Sequence, residues 1–111
     1  MEARVKPLVW LADEISAPPF SPGARLEAAE LLTRLQRGEK LSLPASRPMT
    51  TIGAACHELR IRDRNVTWRV FYAIEPDGIV LLHVGTKSSR KTAQSDIELS
   101  KRRLKRYRAV H

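Results

Sequence analysis

Between Cys56 and Lys91 the chain carries three short runs whose alternation leaves few ways to fold. Leu59 and Ile61 alternate with Glu58, Arg60 and Arg62; Val66, Trp68, Val70, Tyr72 and Ile74 alternate with Thr67, Arg69, Phe71 and Ala73. Ile79 to Val84 is continuously apolar apart from His83. Period-two patterning rich in β-branched and aromatic residues predicts strands. Asp63-Arg64-Asn65 and Glu75-Pro76-Asp77-Gly78 separate them with turn residues, so an antiparallel meander is expected.

The pattern also predicts a register. Residues directly opposite one another share a face, and a one-residue slip turns the apolar set outward. A two-residue loop of Arg64 and Asn65 then puts Leu59 opposite Val70, Arg60 opposite Arg69 and Glu58 opposite Phe71. A three-residue loop from Pro76 to Gly78 puts Phe71 opposite His83 and Arg69 opposite Gly85. One face is expected to be apolar, built from Leu59, Ile61, Trp68, Val70, Tyr72, Ile74, Val80, Leu82 and Val84. The other carries Glu58, Arg60, Arg62, Arg69, His83 and Lys87 around Phe71, Ala73, Ile79 and Leu81. Arg60 facing Arg69 is a like-charge pair and calls for an anion between them.

A chain of 111 residues, 42% hydrophobic, forms one domain over residues 1–111 with a single core. Cys56 is the one cysteine, which excludes an intramolecular disulfide and fits a reducing compartment. No apolar run approaches the length of about 20 residues that spans a bilayer, so the expected location is cytoplasmic, away from membranes. The net charge of +8 is unevenly spread. Residues 87–111 hold nine of the 20 basic residues and two of the 12 acidic ones, a net of +7, which leaves +1 for residues 1–86. Such clustering suits a polyanion, an acidic protein partner, or a solvated helix.

Val5 to Leu11 reads as an outer strand because it contains Pro7. Asp13 to Phe20, with Pro18-Pro19, reads as a loop. Ser21 is a candidate N-cap with Pro22 at the first helical position; Ala28, Leu31, Leu32 and Leu35 form the buried stripe and Gly38 closes the helix. Glu39 to Ala55 reads as a long loop from which Arg47 can reach the charged face. Thr86 to Gln94 is polar and basic. A last helix follows, capped at Ser95 or Thr92, with Ile97, Lys101, Leu104 and Tyr107 near one face and Arg102, Arg103, Lys105, Arg106 and Arg108 over the rest. Trp10 and Trp68 are expected in the core. The His and Cys residues show no metal-ligand spacing, and no cofactor motif is present.

In order along the chain come a helix ending in Leu35-x-x-Gly38, Ser46-Arg47-Pro48-Met49, His57-Glu58-Leu59-Arg60, Trp68-Arg69-Val70-Phe71-Tyr72, an apolar strand running into Lys87, and a helix with Arg103-Leu104. Taken together they resemble the RelE/ParE toxin superfamily and are most similar to its HigB-type, phage-derived branch. The resemblance implies an α+β, RelE-like fold: a small antiparallel sheet, made of an N-terminal strand plus a three-strand meander, flanked by an N-terminal helix and a basic C-terminal helix. It implies the toxin of a type II toxin–antitoxin system, a ribosome-dependent, metal-independent mRNA endoribonuclease. The partners implied are a cognate antitoxin of helix-turn-helix type, the ribosome and mRNA, with operator DNA bound through the antitoxin.

On that resemblance Glu58 is the candidate general base and His83 the general acid, roles that could be exchanged. Arg69, with Arg60 and Lys87, holds the scissile phosphate. Arg47, Arg62, Arg90, Lys91, Arg102, Arg103 and Arg106 are further RNA-binding candidates. Gly85, Ser88 and Ala93 depart from the family pattern, the first two beside the expected site. Two other readings remain open: a ParE-like inhibitor of DNA gyrase, which needs no acid/base pair, and a non-enzymatic module that binds RNA or antitoxin.

Overall fold

The computed structural model describes residues 5–11, 20–86 and 94–111. Strand β1 (Leu8–Trp10), helix α1 (Pro22–Gln36), strands β2 (Ser46–Pro48), β3 (Cys56–Asp63), β4 (Val66–Glu75) and β5 (Gly78–Thr86), and helix α2 (Gln94–Val110) follow in chain order. The fold is α+β. The strands form one five-stranded sheet in the order β1-β5-β4-β3-β2, with α1 packed on one face and α2 on the other.

Helix α1 forms as its sequence predicts. The Ser21 hydroxyl accepts from the amide of Ala24 at 3.2 Å, and Pro22 occupies the first turn, where a missing N–H costs nothing. At the other end Gly38, at φ +90°, lets the chain turn left. Its amide donates to the Leu35 carbonyl and that of Glu39 to the Arg34 carbonyl, closing a Schellman motif. Ala24, Ala28, Leu31, Leu32 and Leu35 bury the inner stripe against Leu59, Ile61, Val70, Tyr72, Ile79 and Leu81. Each buried leucine of such a stripe contributes about 1.5–3 kcal/mol. Asp63 ties this helix to the sheet: its Oδ2 accepts from the Ser21 amide at 2.9 Å and from the Trp68 indole at 3.0 Å. Hydrogen bonds from Ser21 and Trp68 hold the Asp63 carboxyl below its usual range.

The β3–β4 register is the one the alternation demands, with Leu59 opposite Val70, Arg60 opposite Arg69 and Glu58 opposite Phe71. Four expectations need correction. The sheet is mixed, because β1 pairs in parallel with β5. The N-terminal strand is also shorter than Val5 to Leu11, and on this edge Trp10 is 41% exposed rather than in the core. The segment Glu39 to Ala55 contains β2, a three-residue edge strand opposite His57 to Leu59. It escapes pattern reading because three residues show no period and because Pro48, which has no N–H to donate, is tolerated only at an edge. The β4–β5 turn is a two-residue loop, since Glu75 pairs with Gly78, and a bulge follows: Tyr72 pairs with Leu81 but Phe71 with His83.

That bulge exchanges faces locally. Ile79 and Leu81 pack with α1, while Val80 and Leu82 pack with α2, the reverse of the expected assignment. In a run apolar on both faces, alternation cannot mark where an extra residue enters. Beyond the bulge the expected register returns, with Phe71 opposite His83 and Arg69 opposite Gly85.

Helix α2 begins by Gln94, so Ser95 lies inside it rather than at its cap. Its packed stripe is Ile97, Ser100, Arg103, Leu104 and Tyr107, and Lys101 is exposed. Arg108 pairs with Glu75 at 2.7 Å, and the Tyr107 hydroxyl donates to Asp77 at 3.1 Å, fixing the helix to the β4–β5 turn. Lys87, Ser88, Arg90, Lys91, Thr92 and Ala93 lie outside the described residues, as does most of the loop expected from Asp13 to Phe20.

Gly23 inside α1 and Gly38 just past its end make a matched test. Gly38→Ala forces a side chain into the left-handed region and is expected to cost about 1 kcal/mol. Gly23→Ala, where an added Cβ meets nothing within 4 Å, should be neutral or stabilising by a few tenths of a kcal/mol. Urea unfolding of both variants checks the contrast.

Candidate functional site

Three of the basic side chains singled out by the sequence converge on one carboxylate, that of Glu58. Glu58, on β3, has no exposed surface. Its Oε1 lies 2.7 Å from Nε of Arg60 and 3.2 Å from Nε of Arg47, and its Oε2 lies 3.4 Å from Nε of Arg69. The Arg60 contact is a hydrogen bond, and the other two are charge contacts at longer range. The strands dictate this grouping. Arg47 on β2 stands directly opposite Glu58, Arg60 follows two residues along on the same face, and Arg69 on β4 stands opposite Arg60. Glu58 is therefore the anion that the Arg60/Arg69 pair requires.

Three guanidinium groups around one carboxylate leave a local charge of +2, held by short strands rather than by loops. Burying a lone carboxylate costs several kcal/mol, and the surrounding cations offset this. The Arg69 side chain is 3% exposed, against 31% and 26% for those of Arg47 and Arg60. Truncating the buried Arg69 would therefore open a cavity as well as remove a charge. A cleft of about 530 Å³ opens beside the cluster, lined by Arg60, Arg62 and Thr67 from the sheet, Pro44 and Ala45 from the chain before β2, and Glu27 of α1.

His83 stands apart, on β5, with Phe71 of β4 between it and Glu58 and its ring stacked on Phe71 at 5.9 Å. Two inter-strand spacings put the two residues about 10 Å apart. Its Nε2 lies 3.0 Å from Asp96 Oδ1, and its Nδ1 lies 3.4 Å from Nη1 of Arg103. A guanidinium only donates, so Nδ1 is the acceptor and Nε2 carries the proton toward Asp96. The same Arg103 Nη1 donates to the carbonyl of Leu82, the residue inserted by the bulge, at 2.8 Å. Arg103 is thus a buried brace between α2 and β5, 8% exposed, and not part of the solvated basic face. Burial holds its pKa below the ordinary arginine value.

Asp96 and the bracing role of Arg103 were missed at the sequence level. Neither carries a local signal, because both act across the α2–β5 packing. The exposed side of α2 keeps Arg102, Lys105 and Arg106, which with Leu99 and Arg103 line a groove of about 510 Å³. Among the described residues no three His, Cys, Asp or Glu side chains gather to hold a metal ion.

The sequence model of the family described as Phage derived protein Gp49-like (DUF891) matches residues 18–105, from just before α1 to the last turns of α2. The chain belongs to this family. Gp49-like proteins are phage-derived and toxin-like, which agrees in general terms with a toxin that has an antitoxin partner. No curated protein matches the chain. Among the described residues of this Gp49-like protein no helix is long and apolar enough to cross a membrane.

Cys56 lies in the α2 core, and burial pushes its thiol up to about 11, opposed by Arg108 and reinforced by Glu75. A thiol protonated at neutral pH is a poor nucleophile. Because the folded state holds the proton more tightly than the unfolded chain, whose thiol titrates near 9.0, the contribution of Cys56 to stability is complete below that pH. It is lost as pH rises toward about 11. Unfolding curves between these limits should show stability falling with pH, with a smaller slope in Cys56→Ala.

Proposed function

We propose that this Gp49-like protein is the toxin of a toxin–antitoxin pair, and that it acts in the cytoplasm on mRNA at the ribosome, cleaving it without a metal ion. The observation that carries this reading is the set of Arg47, Arg60 and Arg69 around Glu58, with its net charge of +2 beside an open cleft. A phosphodiester carries one negative charge, and attack by the neighbouring 2′-oxygen adds a second as the phosphorane forms. Guanidinium groups fixed in advance stabilise that added charge without reorganising in the transition state. A gyrase inhibitor has no use for such an array. An antitoxin of helix-turn-helix type would hold the toxin silent and carry the pair to operator DNA.

Lys87 remains a proposed phosphate ligand on the family resemblance, with Arg90 and Lys91 as proposed RNA contacts. His83 keeps its proposed place as the proton donor, its ring oriented by Asp96. A second reading is favoured by one observation: the Glu58 carboxylate is enclosed by guanidinium groups and both nitrogens of His83 face protein partners. A site of this kind suits RNA binding without cleavage.

Expression of the protein alone should arrest translation with cleaved mRNA, relieved by co-expression of its antitoxin. Arg47→Ala, on an edge strand and partly exposed, should lower single-turnover cleavage on programmed ribosomes by about 100-fold while leaving the fold intact. Arrest with intact mRNA supports the binding-only reading, and gyrase–DNA breaks support the gyrase one. The exposed face of α2 gives an independent check. Replacing Arg102, Lys105 and Arg106 with Ser should lower the slope of log K against log salt for RNA by about one unit for each phosphate no longer neutralised, whereas Arg103→Ser should reduce stability.

A further inference from the structure

We infer that Glu58 is a positioning residue, the counter-ion that sets the three arginines in register for a phosphate, and that it is not the general base. The inference rests on the RNA-directed reading above but is decided by the geometry of the carboxylate. A general base needs a lone pair within reach of the proton it abstracts. Glu58 has no exposed surface, both of its oxygens face guanidinium groups, and the strand β2 that brings Arg47 runs across its outer side. The position also explains why the cluster is stable. Arg60 and Arg69 stand opposite each other in the sheet and repel; Glu58, two residues from Arg60 along β3 and diagonal to Arg69, touches both.

Arg60 Nε donates a hydrogen bond to the carboxylate, and Nε of Arg47 and of Arg69 lie 3.2 and 3.4 Å from it, so all three guanidinium groups face it with their inner edge. The hydrogen bond at Arg60 Nε fixes the plane and direction of that guanidinium, and the charge contacts draw the other two toward the same carboxylate. An anion in the cleft beside Arg60 then meets a surface whose geometry is set before binding, which is the condition for electrostatic stabilisation of a developing charge.

The two roles predict opposite effects of Glu58→Gln on binding. If Glu58 is a base beside the phosphate, removing its charge raises the local charge from +2 to +3, so affinity for a non-cleavable 2′-O-methyl RNA should be unchanged or higher. The carboxylate limb of the cleavage pH profile should also vanish. If Glu58 positions the arginines, the affinity should fall by at least tenfold, and residual cleavage should keep the wild-type pH profile. Arginine side-chain NMR provides a readout that needs neither RNA nor catalysis. In the wild-type protein the Arg60 Nε–H should exchange slowly with solvent and lie away from the free-arginine position, and in Glu58→Gln it should return to that position. Fast exchange in the wild type, or tighter RNA binding by the variant, overturns the inference. Failure of the wild type to bind RNA overturns the functional reading alone, and if the variant does not fold, the slow exchange of Arg60 Nε–H in the wild type still tests the Glu58 contact on which the inference stands.

Discussion

A single buried carboxylate makes one half of this sheet possible. Without Glu58, three arginines from three neighbouring strands would crowd one face, two of them directly opposite. With it, the same charges become a cross-strand tie that joins the edge strand β2 to β3 and β4 through side chains as well as backbone. The tie leaves an excess of positive charge where the cleft opens. Structure and candidate function therefore draw on the same residues, and what stabilises the sheet is also what can receive a phosphate.

The two faces of the sheet are finished in different ways. Against α1 the seam is almost wholly apolar, closed at its ends by the Asp63 bonds to Ser21 and Trp68 and by the buried 2.7 Å contact between Ser46 and the Tyr72 hydroxyl. Against α2 the apolar seam is thinner and polar braces supplement it: Arg103 on Leu82 and His83, His83 on Asp96, Tyr107 on Asp77 and Arg108 on Glu75. The bulge in β5 links these facts. It turns Leu82 and His83 toward the same helix, and Arg103 caps the carbonyl of the inserted residue, so an irregularity in the ladder becomes the docking point of α2.

Much of this was open to a reading of the residues alone. The caps of α1, its buried stripe and the register of β3 on β4 all follow from interactions within a few residues or between strands joined by a tight turn. There the hydrophobic period and the turn chemistry act together, and a one-residue slip would expose an entire face. The same register brought Glu58, Arg60 and Arg69 together and implied that an anion must lie between the two arginines.

Tertiary structure decided what lies beyond that range. The parallel addition of β1, the edge position of β2, the insertion in β5 and the burial of Arg103 depend on contacts between segments tens of residues apart, and no local pattern records them. The alternation showed that Glu58 shares a face with basic residues, but only the arrival of β2 opposite it enclosed the carboxylate and made it a counter-ion rather than an accessible base. Sequence determined which charges meet, because strand periodicity is local; the fold decided which are sealed from water, because burial depends on every layer packed above them.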